Sequence, residues 1–386
     1  MDRRGNAGEL EAQPNLSRRC ARQIAAALLA WFSEQGRDLP WRRTRDPYPI
    51  WISEVMLQQT QVETVIPFWE RWMKELPSIA RLAAADEQEI LKLWEGLGYY
   101  TRARNLRRAA QLIVAHHAGR FPTCFDQVIA LPGIGRYTAG AICSIAFNQP
   151  TPILDGNVIR VLARRFAIRG NPREPRTNRA LWQLAETLVR TAANEEGGQG
   201  WSASHFNQGL MELGATICSP RNPRCEVCPL RNGCVARRKD LIAELPNLPC
   251  RAAPTRRRFV SLVIRHEDRF LIRQRARDEV NGSLWEFPNI EVPFKTGTRP
   301  GWTVADLFSG SLAALAPLCE IQHRITRYDI RLEVFLGTTL ARPAGQAGEW
   351  RSLPDLDQLP FPSAHRRIVR TLRESEPSRG RQPRRE

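Results

Sequence analysis

No run of 18 apolar residues occurs in this 386-residue chain, so no membrane-spanning helix is expected. The N-terminal stretch MDRRGNAGELEAQPN is polar and lacks the apolar segment of a secretory signal, so a cytoplasmic protein is expected. No internal repeat is found. Acidic residues are in deficit: 40 Asp and Glu against 57 Lys and Arg leave a formal net charge of +17. Such an excess points to a polyanionic partner, most often nucleic acid, with affinity that falls steeply with salt. A merely soluble basic protein is the plainer alternative. A disulfide framework is not expected either. Of nine cysteines, four form one compact motif, and the others (Cys20, Cys124, Cys143, Cys250, Cys319) are scattered and odd in number, as in a reducing cytosol.

What is present fits a globular protein of two domains: 42% apolar and 25% charged residues. Residues 1–16 read as disordered. From 17 to 235 the apolar spacing is helical almost throughout, with helices expected at 18–35, 49–75, 86–95, 101–117, 125–130, 137–147, 156–166 and 178–191. Residues 236–258, rich in proline and basic side chains, read as a connector. From Phe259 the period becomes two. A hairpin is expected at 259–265 and 269–275, a helix at 303–315, strands at 319–326 and 328–336, and a closing helix at 363–373. The fold class is therefore an all-α domain followed by an α+β domain over 259–374, with residues 375–386 a loose charged tail.

The four clustered cysteines are spaced Cys218-x6-Cys225-x2-Cys228-x5-Cys234. Four thiolates within seventeen residues can wrap one metal centre. A zinc ribbon usually carries two C-x-x-C pairs across a longer spacer. One C-x-x-C flanked by single cysteines better suits a cubane iron–sulfur (4Fe-4S) cluster. Arg221 and Arg224 lie in the loop between the first two ligands, where a cationic surface suits phosphate.

Four other segments can carry chemistry. Leu131–Gly140 reads LPGIGRYTAG between two helical stretches. Gly133 and Gly135 permit a tight turn, and the following helix then points free N–H groups outward, a helix-hairpin-helix able to grip a phosphate. Glu54 lies among apolar neighbours. On a helix Glu54, Gln58 and Gln61 share one face, and partial burial raises the carboxyl toward the range of a general acid. A solvent-facing glutamate is the simpler local reading. Asp155, before Gly156 and Asn157, is a helix N-cap or an anion facing a developing positive charge. Tyr99 and Tyr100 follow a glycine turn and either stack on a base or pack in the core.

Taken together and in this order, SEVMLQQTQV, GLGYYTRARNL, LPGIGRYTAGAI, ILDGNV, FNQGLMELGATIC and the cysteine motif resemble the iron–sulfur branch of the helix-hairpin-helix DNA glycosylases. Endonuclease III and the MutY-type adenine DNA glycosylases are its two natural candidates. The resemblance to the MutY type covers roughly residues 20–373. Bifunctional lyases of the branch carry a nucleophilic lysine where this chain has Tyr137, and a phenol forms no imine. Nor do they carry a glutamate matching Glu54.

The resemblance implies a monofunctional enzyme, a monomer of the bacterial cytoplasm held on the nucleoid by DNA. Its partner is double-stranded DNA carrying adenine mispaired with 8-oxoguanine or guanine. Glu54 would protonate adenine N7 in the flipped nucleotide, and Asp155 would stabilise the oxocarbenium-like sugar. Tyr137 and Asn157 would orient the carboxylates and water. Gln208 would contact adenine, Trp41 and Arg42 would line the pocket, and Gln59 and Tyr99 would wedge beside the opposite guanine. The C-terminal domain resembles a Nudix fold that has lost its glutamate-rich helix, since Pro288 stands where the motif places a glutamate. The family's Phe-Ser-His lesion loop falls on Ile325, Thr326 and Arg327, of which Thr326 keeps a hydroxyl for the damaged base.

Overall fold

The computed structural model describes residues 16–194, 201–249, 253–293 and 302–375. The expected disorder at 1–16 and 375–386, Cys250 and part of the connector therefore lie outside the described residues, apart from residues 16 and 375. The chain divides into two compact units, one of residues 1–80 and 109–250, the other of residues 81–108 and 251–386.

The helices run in chain order as α1 (Arg18–Gln35), α2 (Pro47–Met56), α3 (Val62–Glu75), α4 (Ile79–Ala84), α5 (Glu87–Leu93), α6 (Thr101–His116), α7 (Phe125–Ile129) and α8 (Arg136–Phe147). After them come α9 (Gly156–Phe166), α10 (Pro175–Ala193), α11 (Ser202–Thr216) and the short α12 (Val235–Arg238). In α1, Ala21, Ile24, Ala25 and Leu28 recur three and four apart and face α10 and α11. The Ser17 hydroxyl starts the helix by accepting the Cys20 amide at 3.3 Å. Leu28, Leu181, Leu188, Phe206 and Leu213 are fully buried in the same core. Helix α2 is different: every residue from Ile50 to Met56 is buried, Glu54 included. A helix apolar all round belongs in the middle of a domain.

The expected helix over 49–75 is two helices. The first ends at Met56, and the chain turns through Leu57–Thr60, with Gln59 at φ 62°. Gln58 and Gln61 thus do not share a helical face with Glu54. Gln61 instead precedes α3 as its N-cap residue. No glycine or proline marks this break, and the run QQTQ gives no local warning of it.

In the second unit a mixed sheet forms from β1 (Thr255–His266), β2 (Arg269–Gln274), β3 (Trp285–Glu286), β4 (Asn289–Val292), β5 (Ala314–Ile325), β6 (Tyr328–Thr338) and β7 (Glu349–Ser352). Along the main path the order is β3-β2-β1-β6-β5, with β1 and β6 parallel and β5 antiparallel to β6. Both faces are covered. Val260, Leu262, Ile264 and Phe308 fill one core; Val263, Phe270, Phe287 and Phe361 fill the other, with α13 (Leu353–Gln358) and α14 (Ser363–Ser375). A central strand buried on both sides reads as a nearly continuous apolar run, as FVSLVI does.

The expected helix at 303–315 is not formed. A capping box between Thr303 and Asp306 closes a single 3-10 turn at Val304–Asp306, and β5 begins at Ala314. Leu307 and Phe308 are drawn into the sheet core, and Gly310 interrupts any helical continuation. Residues 81–108 pack within this unit. The Trp285 indole donates to Gln88 at 2.9 Å, Arg366 pairs with Glu95 at 2.6 Å, and the Tyr100 hydroxyl donates to the Phe361 carbonyl at 3.2 Å. Tyr100 is therefore a core residue. Among the described residues, no helix is long and apolar enough to cross a membrane.

Candidate active site and cysteine centre

A cavity of about 810 Å3 opens in the first unit between α2, α8, α9 and α11. Glu54, Tyr137, Asp155, Asn157 and Gln208 line it together with Trp41, Arg42, Gln59 and Met211. These residues come from separate segments of the sequence, so their meeting is a product of the fold.

Glu54 is 5% exposed. Burial pushes its carboxyl up to about 7; the Tyr137 hydrogen bond opposes this, the Asp155 charge reinforces it, and Arg42 opposes it. The direction is the one its apolar neighbours imply. The Tyr137 hydroxyl lies 3.1 Å from Glu54 Oε2 and equally 3.1 Å from Met211 Sδ. Burial, then the neighbouring Glu54 and Asp155, drive the phenol well above its ordinary range, so it stays neutral.

Asp155 is the N-cap of α9: its Oδ1 accepts the Val158 amide at 2.7 Å, and its Oδ2 accepts the Asn157 side-chain amide at 3.0 Å. Burial raises this carboxyl, and both hydrogen bonds act against the rise. Capping and facing the cavity are thus one geometry rather than alternatives. Gly214 of α11 lets the start of α9 approach closely, because a Cβ there would sit 2.6 Å from Asn157 Cβ.

The cavity floor carries charge that the sequence did not single out. Glu212, 1% exposed, accepts from Arg37 at 2.6 Å and from Arg42 at 2.8 Å. Burial raises its carboxyl, but the two guanidiniums outweigh burial and hold it below its ordinary range. Arg42 also donates to the Arg37 carbonyl at 3.0 Å, and its guanidinium lies over the Phe32 ring. Trp41 is buried edge-on against Trp69, and the Gln208 amide donates to Ser204 at 3.1 Å. The motif FNQGLMELGATIC contains both Met211 and Glu212, but no local pattern marks either; the Arg37 partner of Glu212 lies 175 residues away.

The hairpin between α7 and α8 has Gly133 at φ 80°, a conformation that favours glycine, and Gly135 as the N-cap of α8. Arg136 opens α8 and lays its guanidinium 4.0 Å from the centre of the Trp182 ring. Three residues singled out for DNA contact stand in the left-handed region without being glycine: Gln59 at φ 62°, Tyr99 at φ 49° and Thr326 at φ 51°. Such backbone costs about 1–2 kcal/mol per residue, and it concentrates at working sites. Tyr99 is 48% exposed, unlike its neighbour Tyr100.

Thr326 sits at the turn between β5 and β6, on the rim of a second cavity of about 240 Å3 lined also by Phe259, Asn281, His323, Ile325 and Tyr328. Arg327 is held against Tyr328, its guanidinium donating to the phenol oxygen at 2.9 Å.

Cys218 follows α11, Cys225 opens a 3-10 turn, Cys228 closes it, and Cys234 is the N-cap of α12. All four face one small cavity of about 30 Å3, together with Arg164. No three Cys, His, Asp or Glu side chains among the described residues close on a single-ion point; the thiols ring a space instead. Arg164 is 4% exposed and is fully engaged: it reaches Cys218 Sγ at 3.5 Å and donates to the carbonyls of Leu245, Ser219 and Pro220. A buried cation beside four thiols fits an anionic thiolate-held cluster. Arg221 and Arg224 are exposed on the adjoining loop, and Arg224 also donates to the Thr216 carbonyl at 3.0 Å. The eight cysteines among the described residues form no disulfide.

Residues 52–187 match the HhH-GPD superfamily of base excision DNA repair proteins. Residues 218–234 match the iron–sulfur binding domain of endonuclease III, which supports a 4Fe-4S cluster, and the four clustered cysteines fall within that range. Residues 259–371 match the NUDIX domain. An adenine DNA glycosylase of Buchnera aphidicola is 37% identical over 270 residues, covering 70% of this chain and 75% of that protein. The mouse adenine DNA glycosylase is 44% identical over 233 residues, 58% of this chain and 44% of its own length. The chain thus spans less than half the length of that mammalian relative. A solved structure titled as a thermostable thymine-DNA glycosylase superposes with a TM-score of 0.50 at 32% identity, over 57% of this chain and 97% of that one. By the extent of these matches, the chain belongs to the adenine DNA glycosylase family.

Proposed function

We propose that the protein is a monofunctional DNA glycosylase that removes adenine mispaired with 8-oxoguanine or guanine. One observation carries the reading: a carboxyl poised near neutrality by burial, Glu54, shares a cavity with a second, hydrogen-bonded carboxyl, Asp155. Adenine enters the cavity flipped from the duplex. Gln208 meets its edge, and Trp41 and Arg42 bound the pocket. Glu54, protonated, delivers its proton to N7, and the glycosidic bond breaks toward an oxocarbenium-like sugar. Asp155, ionised, faces the cationic carbon until water attacks, with Asn157 orienting the carboxylate. Tyr137 cannot form an imine, so no strand cleavage through a Schiff base follows.

Outside the cavity, Gly133, Gly135, Arg221 and Arg224 hold phosphates without reading sequence. Gln59 and Tyr99 are each a wedge beside the opposite guanine, and Thr326 offers its hydroxyl to the damaged base. The cluster is structural: it holds the cysteine loop rigid and presents its arginines. The Nudix fold serves recognition rather than hydrolysis, and the protein acts as a monomer on DNA. Base release from duplexes with adenine opposite each base tests the reading, with Glu54→Gln as control. Release only opposite 8-oxoguanine and guanine, abolished in the variant, is expected; a covalent adduct trapped by borohydride would overturn it.

A further inference from the structure

The hydroxyl of Tyr137 has one hydrogen and two acceptors at the same distance, Glu54 Oε2 and Met211 Sδ, each 3.1 Å away. One hydrogen cannot serve both. Which acceptor takes it depends on Glu54. When Glu54 is ionised, its oxygen accepts from the phenol. When Glu54 is neutral, its own O–H donates to the Tyr137 oxygen, and the phenol hydrogen needs another acceptor in a half-buried site. The acceptor within its reach on the other side is the Met211 thioether, weak but real. We propose that Met211 is a positioning residue that takes the Tyr137 hydrogen while Glu54 holds its proton, so that acid, phenol and thioether form one chain, O–H···O–H···S.

The charged groups around Glu54 do not supply this service. Asp155, from the start of α9, raises the cost of ionising Glu54, and Arg42, from the 3-10 turn at Pro40–Arg42, lowers it. Neither changes with the direction of the phenol hydrogen. Glu63, Arg37 and Glu212 also line the cavity, the last two paired with one another. Met211 lies on α11, one residue before Glu212, and so is held by the helix that supplies Glu212 to Arg37 and Arg42.

This inference rests on the proposed reaction only for what the proton is used for; the test itself needs no DNA. Met211→Leu keeps nearly the same volume and removes the acceptor. Without it, neutral Glu54 leaves the half-buried phenol O–H without a protein acceptor, whereas ionised Glu54 loses nothing. The Glu54 titration should therefore move to lower pH, by roughly half to one pH unit. Carbon-13 NMR of the Glu54 carboxyl in the full-length protein reads this directly, in the wild type, Met211→Leu, Tyr137→Phe and the double variant. The shift is expected in the Tyr137 background and absent in the Tyr137→Phe background. An unchanged titration in Met211→Leu, or an equal shift in both backgrounds, would overturn the role, the latter showing mere packing. If the shift is found but no variant or wild type releases adenine, the proposed reaction fails while the thioether's role stands.

Discussion

The Arg160 guanidinium lies 2.7 Å from the side-chain oxygen of Asn157, and the same guanidinium donates to the Cys218 carbonyl at 2.7 Å. Asn157 in turn donates to Asp155 at 3.0 Å. A continuous set of hydrogen bonds therefore runs from the first cysteine of the metal motif to the carboxylate at the start of α9. Arg160 also holds the Gly214 carbonyl at 2.8 Å, tying α9 to α11.

Replacing Arg160 by leucine should loosen Asn157 and Asp155 together. Base release is expected to fall roughly tenfold or more, because small displacements of reacting groups are costly. Single-turnover rates measured beside iron content check this. A variant that keeps full iron and full rate would show that the connection is idle.

Glu54 should make release pH-dependent and the fold less stable than it could be. Its folded-state value of about 7 lies above the ordinary 4.5. The folded protein thus binds the proton more tightly than the unfolded chain. Stability falls as pH rises from about 4.5 through 7, by at most about 3 kcal/mol. The rate should fall from the top of this window upward, as the acid form is depleted above about pH 7. Glu54→Gln should raise the melting temperature at pH 8 and lose that advantage near pH 4, while reducing release by about 10²–10⁴-fold. Melting curves at the two pH values decide it.

Glu212 neutralises two cations under the cavity. Glu212→Ala removes the carboxylate that Arg37 and Arg42 share, and breaking a buried pair in this way costs about 3–5 kcal/mol. Denaturant unfolding at neutral pH should show a loss of that order. A change under about 1 kcal/mol would mean that water relieves the site.

Arg221 and Arg224 should contribute affinity without sequence preference. Each alanine variant is expected to flatten the dependence of log affinity on log salt by about one unit for every phosphate it no longer neutralises. Arg224 already donates to the Thr216 carbonyl, so Arg221→Ala should give the cleaner change. Unaltered slopes in both would remove the cysteine loop from the DNA interface.

Local patterns in the sequence were enough for α1 and α9, whose residue bounds are those expected from their apolar spacing, and for the turn between α7 and α8 with its two glycines. The cysteine motif was legible because its chemistry is set by spacing alone. The break between α2 and α3 was not: Gln59 takes a left-handed backbone with no glycine or proline to announce it. Helix spacing at 303–315 was real but yielded to the sheet core, which takes Leu307 and Phe308. Met211 and Glu212 were invisible as site residues because their roles come from partners 74 and 175 residues away. The local sequence also left Asp155 divided between cap and anion, and the fold lets one carboxylate cap α9 and line the cavity at once.

The most direct test of the central claim is single-turnover release of adenine from a duplex carrying it opposite 8-oxoguanine, measured from about pH 5 to 9 for the wild type and Glu54→Gln. Release is predicted to decline above about pH 7 in the wild type and to be nearly absent in the variant at every pH. A wild-type rate independent of pH, or equal release by the variant, would contradict the role given to Glu54.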